Sequence, residues 1–255
     1  MQATHAPFAF DGPVEVIAHR GYSARAPENT LVAMGLAIES GADAVEFDLH
    51  TASDGTPVLF HDATLDRTTD GSGAILGRSL GQLSRLDAGS WFSAAFTGEP
   101  IPTLAHTLSQ IGDRVGRVYA EVKGYRNHDD LERIVEIVAA AALADRTVFI
   151  SMDWGALDHI REVDGGALIG YIVEEASRAP EGLERAHGDP RAMLDFSADV
   201  LLDDPTLADG SRKAGIPLGT WTVDTVERAA EILSLGVPRI TTNQVEALCE
   251  WKKRL

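Results

Sequence analysis

Val45-Glu46-Phe47-Asp48-Leu49, followed by Gly55 and then Phe60-His61-Asp62, is the stretch on which the fold turns. In an extended strand successive side chains alternate faces, so Glu46 and Asp48 share one side while Val45, Phe47 and Leu49 share the other. Two neighbouring carboxylates repel, and taking both out of water is costly unless a positive charge sits between them. A hard divalent cation, which takes oxygen ligands, resolves that conflict. The plain alternative is a strand whose polar face is simply hydrated. The apolar residues on either side argue against such an edge strand.

The same pattern recurs elsewhere. Val14-Glu15-Val16-Ile17-Ala18 runs into His19-Arg20-Gly21, a strand-like segment ending in a basic pair and a turn-forming glycine. Val118-Tyr119-Ala120-Glu121-Val122-Lys123-Gly124 places Glu121 and Lys123 on one face by the same pleat. A single charged strand ending is a common surface feature; endings on separate strands suggest a shared site.

At 255 residues the chain suits one large domain, and α/β barrels are commonly of about this size. No apolar run approaches the roughly 20 residues of a membrane span. The N-terminus, Met1-Gln2-Ala3-Thr4-His5-Ala6-Pro7-Phe8, lacks the basic start and apolar centre of a secretory leader. Cys249 is the only cysteine, which excludes an intrachain disulfide. Together these features predict a cytoplasmic protein with no stable membrane insertion. A net charge of −17 makes nucleic acid and anionic membrane surfaces poor partners. A small anionic substrate remains compatible, given a local positive island built from a metal, Arg20 and Lys123. Assembly into a homo-oligomer is left open.

Short apolar runs alternate with helical patterns along the whole chain. Strands are predicted at 14–19, 44–49, 117–123, 147–152, 167–173, 198–202, 217–223 and 239–242. Helices are predicted at 30–40, 129–143, 154–163, 206–213, 225–235 and 244–253. Strands alternating with helices imply parallel βα units, and eight of them close a TIM (β/α)8 barrel, in which the strand C-termini converge on one face. An open doubly wound sheet is the alternative. The stretch 64–104, with Gly71-Ser72-Gly73 and Trp91-Phe92, has no place in the alternation. It is expected to be an insertion of one or two short helices lying over the strand-end face of a single domain spanning 1–255.

Taken in order, His19-Arg20-Gly21, Pro27-Glu28-Asn29-Thr30, Glu46-Phe47-Asp48, Asp54-Gly55, His61-Asp62, Leu65-Asp66-Arg67-Thr68-Thr69 and Glu121-Val122-Lys123 resemble the glycerophosphodiester phosphodiesterases, with Trp221-Thr222-Val223 near the end of the seventh strand. The resemblance implies a TIM barrel with a small subdomain inserted after the second strand. It implies that Glu46, Asp48 and Glu121 hold one divalent metal, Ca²⁺ or Mg²⁺, that His19 and His61 act as general acid and base, that Arg20 and Lys123 contact phosphate, and that Trp221 lines the substrate pocket. The implied reaction is metal-dependent hydrolysis of a small-molecule glycerophosphodiester to glycerol 3-phosphate and an alcohol. A lysophospholipase D-like enzyme is a second reading, with Trp91, Phe92 and Phe96 in a lipid groove. A non-catalytic metal- or phosphate-binding barrel is a third.

Blander roles remain for some residues. Glu28 and Asn29 are expected to cap the first helix and brace the loop after strand one. Asp62 is an orienting partner for His61 or a turn residue. His50 is set aside because a continuing strand would turn it away from Glu46 and Asp48, while His5, His106, His128, His159 and His187 are taken as surface or structural. Two positions depart from the resemblance: Asp224 stands where asparagine is usual, and Thr242-Asn243-Gln244 replaces an aspartate-containing ending. An extra acid at the rim would weaken binding of acidic head groups.

Overall fold

The computed structural model describes residues 7–255; His5 and most of the segment inspected for a leader lie outside them. Parallel pairing runs through β1 (Glu15–Ala18), β2 (Ala44–Thr51), β4 (Arg117–Gly124), β5 (Thr147–Ser151), β6 (Leu168–Val173), β7 (Ala192–Ser197), β8 (Leu218–Trp221) and β9 (Arg239–Thr242). β1 pairs with β9 on one side and with β2 on the other, so the sheet closes into a barrel without an open edge. The remaining strand, β3 (Pro57–Leu59), folds back antiparallel on the end of β2, with Leu59 opposite Leu49. The expected TIM (β/α)8 barrel is thus formed, with an extra strand after the second one.

Alternation along the strands sorts the apolar residues into two cores. Ile17, Tyr119, Val148, Ile150, Leu168, Ile172 and Met193 fill the barrel. Val16, Val45, Phe47, Val118, Phe149, Ile169, Leu194 and Ile240 face outward onto helix residues such as Met34, Leu108, Ile134 and Leu248. A third, smaller core joins Ala52, Val58 and Phe60 to Leu65, Ile75, Leu83, Ala88 and Ile101. It holds together the segment after β3, which contains only short helical turns at Ile75–Gly77, Leu80–Leu83 and Ala94–Phe96.

The barrel's other end is closed by charge. Glu15, Arg117 and Arg239 begin their strands and are all buried. Arg239 Nε lies 3.1 Å from Glu15 Oε2, and the Tyr119 hydroxyl donates to the same oxygen. Arg117 donates to the carbonyls of Pro7 and Ala9, and Arg239 to that of Phe8, so residues 7–9 lie across this mouth.

One strand differs from expectation. Residues 198–202 form part of a helix, Ala198–Asp203, and the strand is β7, just before it. A run as short as Ala198-Asp199-Val200-Leu201-Leu202 does not separate buried strand from short helix by itself. The true strand is interrupted by Asp195, an acid that reads as solvent-facing yet is buried. The helix Ala179–Ala186, with a proline in its first turn, was also not anticipated.

Candidate active site

The site is built on strand C-termini. Glu46 and Asp48 lie two residues apart on β2, and Asp48 is paired across the sheet with Glu121 of β4. Glu46, Asp48 and Glu121 are all buried, and one oxygen from each lies within 4.8 Å of the others. Each β2 carboxylate commits one oxygen to the protein. Glu46 Oε2 accepts from the backbone N–H of Arg20 at 2.8 Å, and Asp48 Oδ2 accepts from Asn29 Nδ2 at 2.8 Å. The other oxygens, Glu46 Oε1 and Asp48 Oδ1, are buried without a hydrogen-bond partner among the described residues. Orphaned anionic oxygens converging on one point are a donor set for a hard divalent cation, so the residues fit such an ion.

The electrostatics reflect that arrangement. Burial, then repulsion from Asp48 and Glu121, raises the Glu46 carboxyl well above its ordinary value. Burial and Asp48 push Glu121 up to about 7, against the attraction of Lys123. Burial also opposes ionisation of Asp48, but Arg20, Lys123 and the Asn29 amide outweigh it and hold its pKa low. Lys123 Nζ stands 2.6 Å from Glu121 Oε1 and 3.6 Å from Asp48 Oδ1; Arg20 Nε is 3.2 Å from Asp48 Oδ2.

The loop after β1 is wound tightly to bring these groups together. Arg20 and Asn29 both hold positive φ, 56° and 59°, which is uncommon for residues with a side chain and typical of functional loops. Gly21 is required between them: a Cβ there would lie 2.6 Å from the backbone of Ala33. Thr30 caps the following helix, its hydroxyl accepting from Ala33 N. Asn29 does not cap; its amide grips Asp48 from both sides, also accepting from Asp48 N at 3.1 Å.

Each histidine has a dedicated orienting partner. His19 Nδ1 is 2.8 Å from Asn243 Oδ1. Asp224 accepts from Asn243 Nδ2 and from its backbone N–H, both at 2.8 Å, which turns the amide oxygen toward His19. Asp224 therefore positions Asn243, and it remains exposed as the extra acid expected at the rim. Burial, assisted by Arg20, lowers the His19 pKa to about 4, so the ring is neutral at physiological pH. His61 Nδ1 is 2.6 Å from Asp62 Oδ1. Arg67 grips Asp62 through Nε and Nη2 and Glu28 through Nη1 and Nη2, while Glu28 also accepts from Arg20.

His19, Arg20, Glu46, His61, Glu121, Lys123 and Trp221 line one cavity of about 390 Å³, whose wall continues through Ile150, Met152, Ile172 and Asp195. Asp48 lies behind them, fully buried. Trp91, Phe92 and Phe96 do not line it; they stack edge to face on one another in the segment after β3.

Residues 19–247 match the glycerophosphoryl diester phosphodiesterase family model. The chain belongs to that family. A glycerophosphodiester phosphodiesterase of Caldanaerobacter subterraneus subsp. tengcongensis is 32% identical over 91% of this chain and 95% of its own length. Among solved structures, a phosphodiesterase of Oleispira antarctica in complex with the product sn-glycerol-3-phosphate superposes with a TM-score of 0.82 at 29% identity, covering 94% of this chain and 96% of that one. A glycerophosphodiester phosphodiesterase of Agrobacterium tumefaciens gives 0.79 at 27%, over 92% and 99%. Membership of this phosphodiesterase family makes the chain an enzyme, a phosphoric diester hydrolase.

Within that family framework several supporting residues escaped the sequence reading. β2 does continue through His50, but alternation then puts His50 on the side of Glu46 and Asp48, the reverse of what was expected. Its ring is buried against Gly124, and its Nε2 lies 3.1 Å from the carbonyl of His61. No role was assigned to Arg67, Asn243 or Asp195: Arg67 reaches Glu28 and Asn243 reaches His19 only through the fold, and nothing local marks Asp195 as a buried acid.

Proposed function

We propose that this enzyme hydrolyses water-soluble glycerophosphodiesters to glycerol 3-phosphate and an alcohol, with His19 and His61 moving the protons. One observation carries the reading: two separately oriented imidazoles share a cavity with a buried three-carboxylate cluster and two cations. Glu46, Asp48 and Glu121 would hold the divalent ion, Ca²⁺ or Mg²⁺. When bound, such an ion offsets charge developing on phosphoryl oxygens.

Arg20 and Lys123 face the same space and hold the anionic phosphoryl group in place. His19 is the base: Nδ1–H donates to Asn243 Oδ1, and the neutral ring keeps an Nε2 lone pair for the proton of the attacking oxygen, either water itself or the neighbouring glycerol hydroxyl, whose cyclic phosphate product water then opens to glycerol 3-phosphate. His61 is the acid: Asp62 holds its Nδ1, which leaves Nε2 to pass a proton to the departing alkoxide. The water-soluble diester is favoured over a lysophospholipid because no aromatic of the segment after β3 reaches the cavity.

The test is hydrolysis of glycerophosphocholine by chelated protein after adding back Ca²⁺ or Mg²⁺, alongside His19→Ala. Metal-restored turnover that His19→Ala loses is expected. Turnover of no phosphodiester with either ion would leave only the binding-barrel reading. A large loss in Trp91→Ala confined to lysophospholipid would favour the lipid enzyme.

A further inference from the structure

Asp195 projects from β7 into the same cavity as His19, Glu46 and His61, yet belongs to neither the histidine pair nor the carboxylate cluster. The residue is 5% exposed, and its carboxyl accepts no hydrogen bond from any described residue. Arg239, the cation whose charge it feels, is already engaged with Glu15 and with the carbonyl of Phe8. The carboxyl therefore faces the cavity, where only water or a ligand can bond it.

The chain also makes room for this carboxyl. Gly219 is its partner on β8, and a Cβ there would lie 2.7 Å from Asp195 Oδ1. Ile150, Ile172 and Trp221 give the surrounding wall an apolar character, and the indole N–H of Trp221 is bonded to the Asp195 carbonyl. An apolar slot ending in one polar group suits a short carbon chain with a hydroxyl on it. Burial, then repulsion from Glu121, lifts the Asp195 pKa to about 8. A carboxyl in either protonation state can accept from a hydroxyl, the contact such a slot calls for.

We infer that Asp195 recognises a free hydroxyl on the glycerol portion of the substrate, which reaches into the barrel from a phosphate held by Arg20 and Lys123. This rests on the phosphodiester reading above and deepens it: the preferred substrates are phosphate esters of a polyhydroxy alcohol rather than simple alkyl phosphates.

The experiment is calorimetric titration of sn-glycerol 3-phosphate and n-propyl phosphate, which has the same carbon chain without hydroxyls, into protein supplied with Mg²⁺. Wild type is expected to prefer the glycerol ester by about tenfold. Asp195→Ala should bring the ratio to about one while n-propyl phosphate affinity stays within about twofold; Asp195→Asn should restore most of the preference. Gly219→Ala, which crowds the carboxyl without removing it, should erode the ratio as well. No preference in wild type, no binding of either ester, an unchanged ratio in both the Asp195→Ala and Gly219→Ala proteins, or equal weakening of both ligands would each overturn the inference. Glycerophosphocholine turnover in the same preparations separates the two ideas. Wild-type protein that is inactive but keeps the Asp195-dependent preference defeats the hydrolytic reading and supports this one.

Discussion

Glu46 carries the sharpest residue-scale consequence. Its carboxyl is buried beside Asp48 and Glu121 with one oxygen unmatched, and its pKa is raised by burial and by those neighbours. A carboxyl whose folded pKa exceeds its unfolded value contributes stability below the unfolded pKa and loses it as pH rises through the folded pKa. In chelated protein the stability of wild type relative to Glu46→Gln should therefore fall as pH rises, so Glu46→Gln should melt higher than wild type at pH 8, by several degrees, with a smaller gap at pH 5. Added Ca²⁺ or Mg²⁺ should raise the wild-type midpoint and leave Glu46→Gln nearly unmoved, while that variant loses at least about a thousandfold in kcat/KM. Calorimetric melts with and without chelator check both statements; a Glu46→Gln protein that still gained stability from the ion would remove Glu46 from the ligand set. His19→Ala and His61→Ala should each cost about 10²–10⁴ in kcat without shifting the melt by more than a few degrees. The residues of the site were legible because pleat parity and strand endings mark them: Glu46 with Asp48, Glu121 with Lys123, His19 with Arg20. Asp195 was not legible, because a lone acid among Met193, Leu194 and Phe196 carries no local sign of whether it meets water or a ligand.

At the scale of elements, the β2–β3 hairpin and the segment after it do more than decorate the barrel. They deliver His61 opposite the carboxylates, since Phe60 N bonds the Asp48 carbonyl. Arg67 then ties His61's partner Asp62 to Glu28 and so to Arg20, joining the loop after β1 to the segment after β3. Its side chain is half-exposed, so little global stability is at stake. Arg67→Ala should cut kcat about tenfold, chiefly through His61, with KM nearly unchanged. Arg67→Lys should not rescue it, because an ammonium lacks the planar fork that grips two carboxylates at once. Steady-state kinetics of both variants read this out, and wild-type kcat in Arg67→Ala would make the link ornamental. Gly124→Ala acts on the same histidine from beneath: its methyl would lie 2.4 Å from His50 Nδ1, and His50 supports the His61 carbonyl. Displacing a buried ring should cost about 1–3 kcal/mol of stability together with activity, measured by urea unfolding. Most elements were readable from periodicity, the helix Trp154–Val163 to the residue. β7 was displaced onto the following helix because its inward position is occupied by a functional acid, and the apolar pattern favoured the neighbouring run instead.

For the molecule as a whole, the barrel is an apolar column between two charged ends. At one end Glu15 is balanced by Arg117 and Arg239; at the other, Arg20 and Lys123 are already spent on Glu28, Asp48 and Glu121. The two cations near the site therefore do little to offset a net charge of −17, and the field met by an approaching substrate is that of a strongly acidic surface. Like charges associate more slowly at low ionic strength, and salt relieves the repulsion over a Debye length of about 8–10 Å near physiological strength. With Mg²⁺ held saturating, kcat/KM for a diester of net charge about −1, such as glycerophosphoglycerol, should rise about two- to threefold between 10 and 150 mM monovalent salt. Glycerophosphocholine, a zwitterion with no net charge, should respond little over the same range. The contrast isolates the long-range field, because both diesters present the same phosphate to Arg20 and Lys123 once bound. A fall in kcat/KM with salt for the anionic diester would mean that the bound ion and the two cations dominate the field at the cavity mouth, and that the acidic surface has no part in steering.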